Sequence, residues 1–145
     1  MMFGKALVFG DYDIIAEIME AKDPKDQKAL GRKVKGFDKD LWEVEAYGIV
    51  MLGNFLKFTQ NPNLQDVFTL YEDTELFVEA SPVDTIWGIG RSMTDPARFE
   101  YLEWRGQNLL GQAITEVRDF LDGNPEEGFF ANLQLAYDAL GGDIP

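Results

Sequence analysis

Apolar residues recur three and four positions apart through most of this chain, the spacing of one helix face. The longest such stretch runs from about Lys39 to Phe58 behind Asp38, with Leu41, Trp42, Val44, Met51, Leu52, Phe55 and Phe58 as its expected core stripe. At about 1.5 Å per residue it spans roughly 30 Å. Asp13 is expected to cap a helix from Ile14 to about Lys22, with Ile14, Ile15, Ile18 and Met19 on one face. Asp23-Pro24 opens a second that stops near Gly36, and Asn61-Pro62 opens one that turns Leu64, Val67 and Phe68 inward. Asp95-Pro96 predicts a short helix through about Glu103. Another follows from about Leu109 to Leu121, buried through Leu110, Ala113, Ile114, Val117 and Leu121. Asn124 caps a last one from Pro125 to Leu140, apolar on Phe129, Phe130, Leu133, Ala136, Tyr137 and Leu140 and closed by Gly141.

The periodicity lapses in two places. Met1 to Gly10 is apolar apart from Lys5 and begins abruptly, so an upstream segment is expected to be missing. Leu76-Phe77-Val78 reads as a short β-like run. The expected fold is therefore α+β: a single, mainly helical domain with a small β component. After that run, Glu79 to Gly90 brings together two carboxylates, a serine, a tryptophan and two glycines. Glycines let backbone approach a ligand, and a loop tryptophan offers a face for a base, so these are parts of a nucleotide-sugar site. They equally describe a tight turn with a core Trp87 and a capping Asp84.

Composition narrows the chemistry. The 145 residues are 46% hydrophobic and 13% aromatic, which excludes general disorder. With 26 acids against 13 bases the net charge is −13, so broad nucleic-acid binding is disfavoured. There is no cysteine and no histidine, which removes thiolate chemistry and every Ser-His or Cys-His arrangement. No metal site and no cofactor is expected. No apolar run approaches the roughly 20 residues that span a bilayer, and no signal pattern opens the chain; no membrane partner and a cytoplasmic setting are expected.

Any reaction then falls to carboxylate, lysine, tyrosine or serine. Lys5 sits among Phe3, Ala6, Leu7 and Val8; apolar surroundings disfavour its charged form and free the amine as a nucleophile. A lysine snorkelling at the edge of an element reads the same way. Arg32, Lys33 and Lys35, and separately Lys57, suit a phosphate or merely complement a helix C-terminus. Asn108 could bond a ribose hydroxyl or cap a helix. Glu79 would be costly to bury unpaired, so it pairs with a base such as Arg32 or Arg118 or serves a site. Glu79 and Asp84 are close enough to share a cavity, and Trp42 and Trp104 read as core or pocket wall.

Taken in order, Phe3-Gly4-Lys5-Ala6, Leu30-Gly31-Arg32, Trp42, Lys57-Phe58-Thr59-Gln60-Asn61, Leu76 to Asp84, Trp87-Gly88-Ile89-Gly90, Trp104 to Gly111 and Arg118 resemble the YbiA-like, or NADAR, family. The resemblance runs from residue 1 to about 120, with 121–145 expected as a helical extension packed on the same domain. It implies hydrolysis of an N-glycosidic bond to ribose: in a phosphorylated ribosylamino-pyrimidine of riboflavin synthesis, or in an ADP-ribosyl-guanine. The family is also linked to NAD and ADP-ribose metabolism. It further implies that Lys5 attacks the anomeric carbon and that Asp84 orients ribose hydroxyls or assists proton transfer. Lys5 and Asp84 are expected to meet in a single pocket. Trp87 would stack on the base, Arg32 and Lys57 would hold phosphate, and Glu79, Ser81, Gly88 and Asn108 would shape the pocket. The expected partner is a small nucleotide-sugar substrate; the oligomeric state is unknown from the sequence. The family glutamate seven residues before the lysine falls off this chain. A non-catalytic nucleotide or ADP-ribose-binding module, and a partner-binding protein using the last helix, are the alternatives.

Overall fold

The computed structural model describes residues 1–71 and 76–142. Among these residues seven α-helices follow one another: α1 (Met2–Val8), α2 (Tyr12–Glu20), α3 (Pro24–Gly31), α4 (Lys39–Thr59), α5 (Pro62–Thr69), α6 (Leu109–Leu121) and α7 (Phe129–Ala139). Two 3₁₀ turns, Pro96–Phe99 and Tyr101–Glu103, stand where one short helix is expected. The starts of α3, α4, α5 and α6 fall where their Asp-Pro, Asp, Asn-Pro and Asn signals put them. Elsewhere the ends differ. Asp11, not Asp13, caps α2, accepting from the Ile14 amide. The third helix stops at Gly31 rather than near Gly36, and α7 begins at Phe129 rather than Pro125. The last three residues of the expected extension, 143–145, lie outside the described residues.

The expected β component is overturned: among the described residues there is no strand, and all their regular structure is helical. The reason is visible at Leu76–Val78, which runs without a strand partner. The Phe77 amide donates to Thr115 Oγ1 at 3.0 Å, its carbonyl accepts from Asn108 Nδ2 at 2.8 Å, and the Glu79 amide donates to Asn108 Oδ1 at 2.9 Å. Side chains from the N-cap and body of α6 take the bonds that a neighbouring strand would otherwise supply.

The chain divides into two compact units, residues 1–52 with 130–145 and residues 53–129, the boundary falling within α4. In the first, Ala6, Ile14, Ile18 and Val34 form a buried cluster, with Met2, Phe3, Phe9, Ile15 and Leu30 packed against it. Of the expected α4 stripe, Met51 and Leu52 are buried but Leu41 and Val44 are exposed, as is Met19 of α2. Single-face periodicity cannot say how wide a face the neighbours cover, and here they stop short of the first turns of α4. In the second unit Phe58, Phe68, Ile89, Ala113, Val117 and Phe129 are buried. Phe120 stacks on Phe129 at 4.8 Å between centroids, and Phe68 packs on Phe58 at 4.4 Å. Val67, expected inside, is exposed. No helix among the described residues is long and apolar enough to cross a membrane.

Candidate functional site

In the first unit lies Lys5, the expected nucleophile. Helix α1 carries it on the turn facing the end of α3, and its Nζ donates to the Gly31 carbonyl at 2.9 Å. The same Nζ lies 4.1 Å from the centroid of the Phe37 ring and 6.0 Å from that of Trp42. Phe9 completes the aromatic group, edge-on to Phe37 at 5.3 Å and tilted against Trp42 at 6.5 Å. Burial pushes the Lys5 pKa below its ordinary value. The carbonyl and the ring faces favour the ammonium and work the other way, so the amine is held in place rather than simply neutralised. No ion pair holds Nζ among the described residues.

Arg32 follows Gly31 at the end of α3, exposed, with its backbone amide on the Ala29 and Leu30 carbonyls. Phe9 also lines a cavity of about 370 Å³ with Gly10, Asp11, Tyr12, Asp13, Lys35 and Gly36. Its buried floor is Asp11, whose carboxylate accepts from the Ile14 and Lys35 amides.

In the second unit the Glu79–Gly90 loop is laced to the segment before α6. The Arg105, Gln107, Asn108, Leu109 and Leu110 amides donate to the carbonyls of Ile89, Thr85, Gly88, Ile86 and Trp87 at 2.9 to 3.2 Å. Asn108 lies at the centre, fully buried, in the left-handed region at φ 57°. It occupies the N-cap position of α6, yet its amide makes no cap bond and instead bridges Phe77 and Glu79. A side chain at Gly111 would run into the Phe77 carbonyl and the Asn108 amide, which accounts for the glycine. At Gly88 a Cβ would come 2.8 Å from the Glu79 carbonyl.

Asp84 turns the loop: its Oδ1 accepts from the Ile86 amide at 3.0 Å and the Trp87 amide at 2.8 Å. Its second oxygen accepts no hydrogen bond among the described residues. Trp87 is half-buried, as are Glu79 and Ser81. Of the two readings of Glu79, pairing with a base or serving a site, an ion pair with Arg118 is absent among the described residues. Arg118 is buried against Asp119 at 2.7 Å, its guanidinium 5.6 Å from the Phe77 ring centroid. Lys57 is exposed on α4, over the Phe58 ring at 5.3 Å. Trp104 is half-buried, its Nε1 donating to the Arg98 carbonyl. Among the described residues no three acidic side chains gather into a metal-holding group.

The structure thus joins Lys5 to Gly31 beside Arg32 in one unit, and Glu79, Ser81, Asp84, Trp87, Gly88 and Asn108 in the other. Phe37 escapes sequence reasoning. Its only signal is an aromatic directly after the Lys35-Gly36 turn, which reads as an ordinary loop.

Comparison with known proteins bears on these same segments. The NADAR domain matches residues 1–122. An N-glycosidase of Acanthamoeba polyphaga mimivirus is 40% identical over 119 residues, 82% of this chain and 69% of that protein. The Caenorhabditis elegans protein irg-1 is 35% identical over 122 residues, 83% of this chain and 57% of its own length. A chloroplastic riboflavin biosynthesis protein of Zea mays, PYRR, is 32% identical over 110 residues, 73% of this chain but 16% of that protein. No solved structure matches. The domain match takes in Lys5, the Glu79–Gly90 loop and Asn108 together, and the chain belongs to the NADAR family.

Proposed function

We propose that this protein is an N-glycosidase that cleaves the bond between a ribose and the nitrogen of a base or amine. The substrate is a phosphorylated ribosylamino-pyrimidine or an ADP-ribosyl-guanine. The observation that carries the reading is Lys5: a primary amine, half out of water, aimed by a backbone carbonyl and free of any carboxylate partner among the described residues. Relatives named as N-glycosidases and as a riboflavin biosynthesis protein support the reaction class and one of the two substrates.

The neutral Lys5 amine forms a bond to the anomeric carbon as the carbon–nitrogen bond to the base breaks. The electron pair leaves with the base nitrogen, which takes a proton released by the attacking amine. The ribose ring then opens, its oxygen picking up a proton from solvent, and the sugar remains on Lys5 as an iminium. Water adds to the iminium carbon, the sugar departs as an aldehyde, and the borrowed proton returns to solvent. Asp84 orients ribose hydroxyls or moves a proton through its second oxygen. Trp87 stacks on the base, and Arg32 and Lys57 contact phosphate. Glu79 and Ser81 line the substrate, Gly88 lets the backbone approach it, and Asn108 acts through the loop it holds. Residues 1–120 carry this activity, with 121–145 an extension of the same domain.

The test is incubation with a ribosylamino-pyrimidine phosphate and with ADP-ribosylated guanosine, followed by borohydride. Free base and a substrate-dependent mass on Lys5 are expected, both abolished by Lys5→Ala. Thermal stabilisation by the ligand without product would leave a binding module instead.

A further inference from the structure

We infer that Phe37 is a positioning residue for Lys5, its ring face holding the positive charge at Nζ both in the resting ammonium and in the sugar-bound iminium. The inference rests on the nucleophile reading of Lys5 and adds a residue that reading does not contain. The geometry is specific: Nζ sits 4.1 Å from the ring centroid, well inside the range at which the negative face of a π-system attracts a cation. Trp42, at 6.0 Å, is at the outer limit and contributes little. The Gly31 carbonyl at 2.9 Å fixes the remaining direction.

Phe37 is 45% exposed and packs edge-on against Phe9, so it is neither a core residue nor a loop ornament. Core burial does not explain why an aromatic stands there; the neighbouring charge does. Charged groups on the surrounding elements include the Met1 amino group before α1, Asp11 before α2, Arg32 and Lys33 after α3, and Asp38 and Glu45 at α4. None of these forms an ion pair with Nζ among the described residues, and Asp11 is engaged by the Ile14 and Lys35 amides. The ring is therefore the main neutral partner for the charge, together with one carbonyl.

The covalent sequence makes this useful. Nitrogen is cationic before deprotonation and again in the iminium, and neutral only for the attack. A face that favours the cation raises the amine's pKa somewhat, against the effect of burial, and stabilises the intermediate that must await water. Removing the face lowers the Lys5 pKa, so the free amine appears at lower pH while the iminium accumulates less.

The experiment compares wild type, Phe37→Leu, which keeps bulk without a π-face, and Phe37→Tyr, which restores one. The Lys5 ¹³Cε resonance, assigned by its loss in Lys5→Met, is titrated in each, and the borohydride-trapped adduct on Lys5 is quantified at saturating ribosylamino-pyrimidine phosphate. Phe37→Leu is expected to lower the Lys5 pKa by about half a unit and the trapped adduct about two- to fivefold. Phe37→Tyr is expected to recover both. An unchanged Lys5 titration in Phe37→Leu overturns the proposal, and so does a shifted titration with an unchanged adduct. No adduct in wild type with either ribosylamino-pyrimidine phosphate or ADP-ribosylated guanosine overturns the nucleophile reading itself, and the iminium role with it.

Discussion

Lys5 and Asn108 are both polar groups drawn out of water, and the protein treats them in opposite ways. Asn108 is fully buried and its amide is bound at both ends, to the Phe77 carbonyl and the Glu79 amide, in a left-handed backbone conformation. It has become part of the scaffold. Lys5 is half-buried, bound by one carbonyl, and faces aromatic rings that can accept a cation without neutralising it. Full satisfaction makes a rigid element; partial satisfaction leaves a group able to react. The contrast separates a group consumed by the scaffold of the second unit from one held by a single carbonyl in the first.

The sharpest way to break the contrast is at Lys5. Lys5→Ala should lower the release of base by at least about a thousandfold while leaving the near-UV circular dichroism intact. An active variant would show that this amine is scaffold too. Asn108→Ala comes next. It strands the part-buried Glu79 amide and Phe77 carbonyl and puts alanine at a positive φ, a loss of about 3 kcal/mol, or roughly 10 °C in Tm for a chain this long. Thermal melting checks it, and a shift of a degree or two would mean that water replaces the amide.

Asp84 lies between the two extremes, one oxygen engaged with the loop and one without a hydrogen bond among the described residues. Asp84→Asn keeps an acceptor for the Ile86 and Trp87 amides but removes the charge. It should melt close to wild type and lose activity by about 10- to 100-fold. Asp84→Ala should lose both stability and activity. Equal activity in Asp84→Asn and wild type would reduce Asp84 to a turn residue.

The smallest effect is in pH. Burial puts the folded Lys5 pKa below its ordinary 10.5, so between the two values the unfolded chain binds more protons than the folded one. Stability should therefore rise as pH climbs through that window, with the full penalty present below it. The slope should vanish in Lys5→Met. For a side chain this open to solvent the gain is well under about 1 kcal/mol, read as a difference in denaturant midpoint between the two proteins.

Much of the fold was legible because it rests on local rules. The Asp23-Pro24 and Asn61-Pro62 helix starts and the bounds of α6 are written in neighbouring residues. Asp11 was misjudged in favour of Asp13 because either can cap the same helix. What selects Asp11 is its second bond, to the Lys35 amide 24 positions away. The β-like reading of Leu76–Val78 failed for a similar reason: an extended, apolar run shows that bonds are needed, not whether a strand or the side chains of α6 will make them. Of the residues proposed for the site, Lys5 stands out by its apolar neighbours, while Phe37 carries no mark because its proposed role depends on Lys5.

The amino-acid order by itself determined which stretches coil, the absence of thiol and imidazole chemistry, and an ordered motif set specific enough to indicate the family. Only the tertiary structure decided which polar groups are consumed and which stay available. A hydrogen bond between residues 31 apart, or an amine lying across a ring 32 positions away, depends on how helices are brought together. No local propensity encodes that distance.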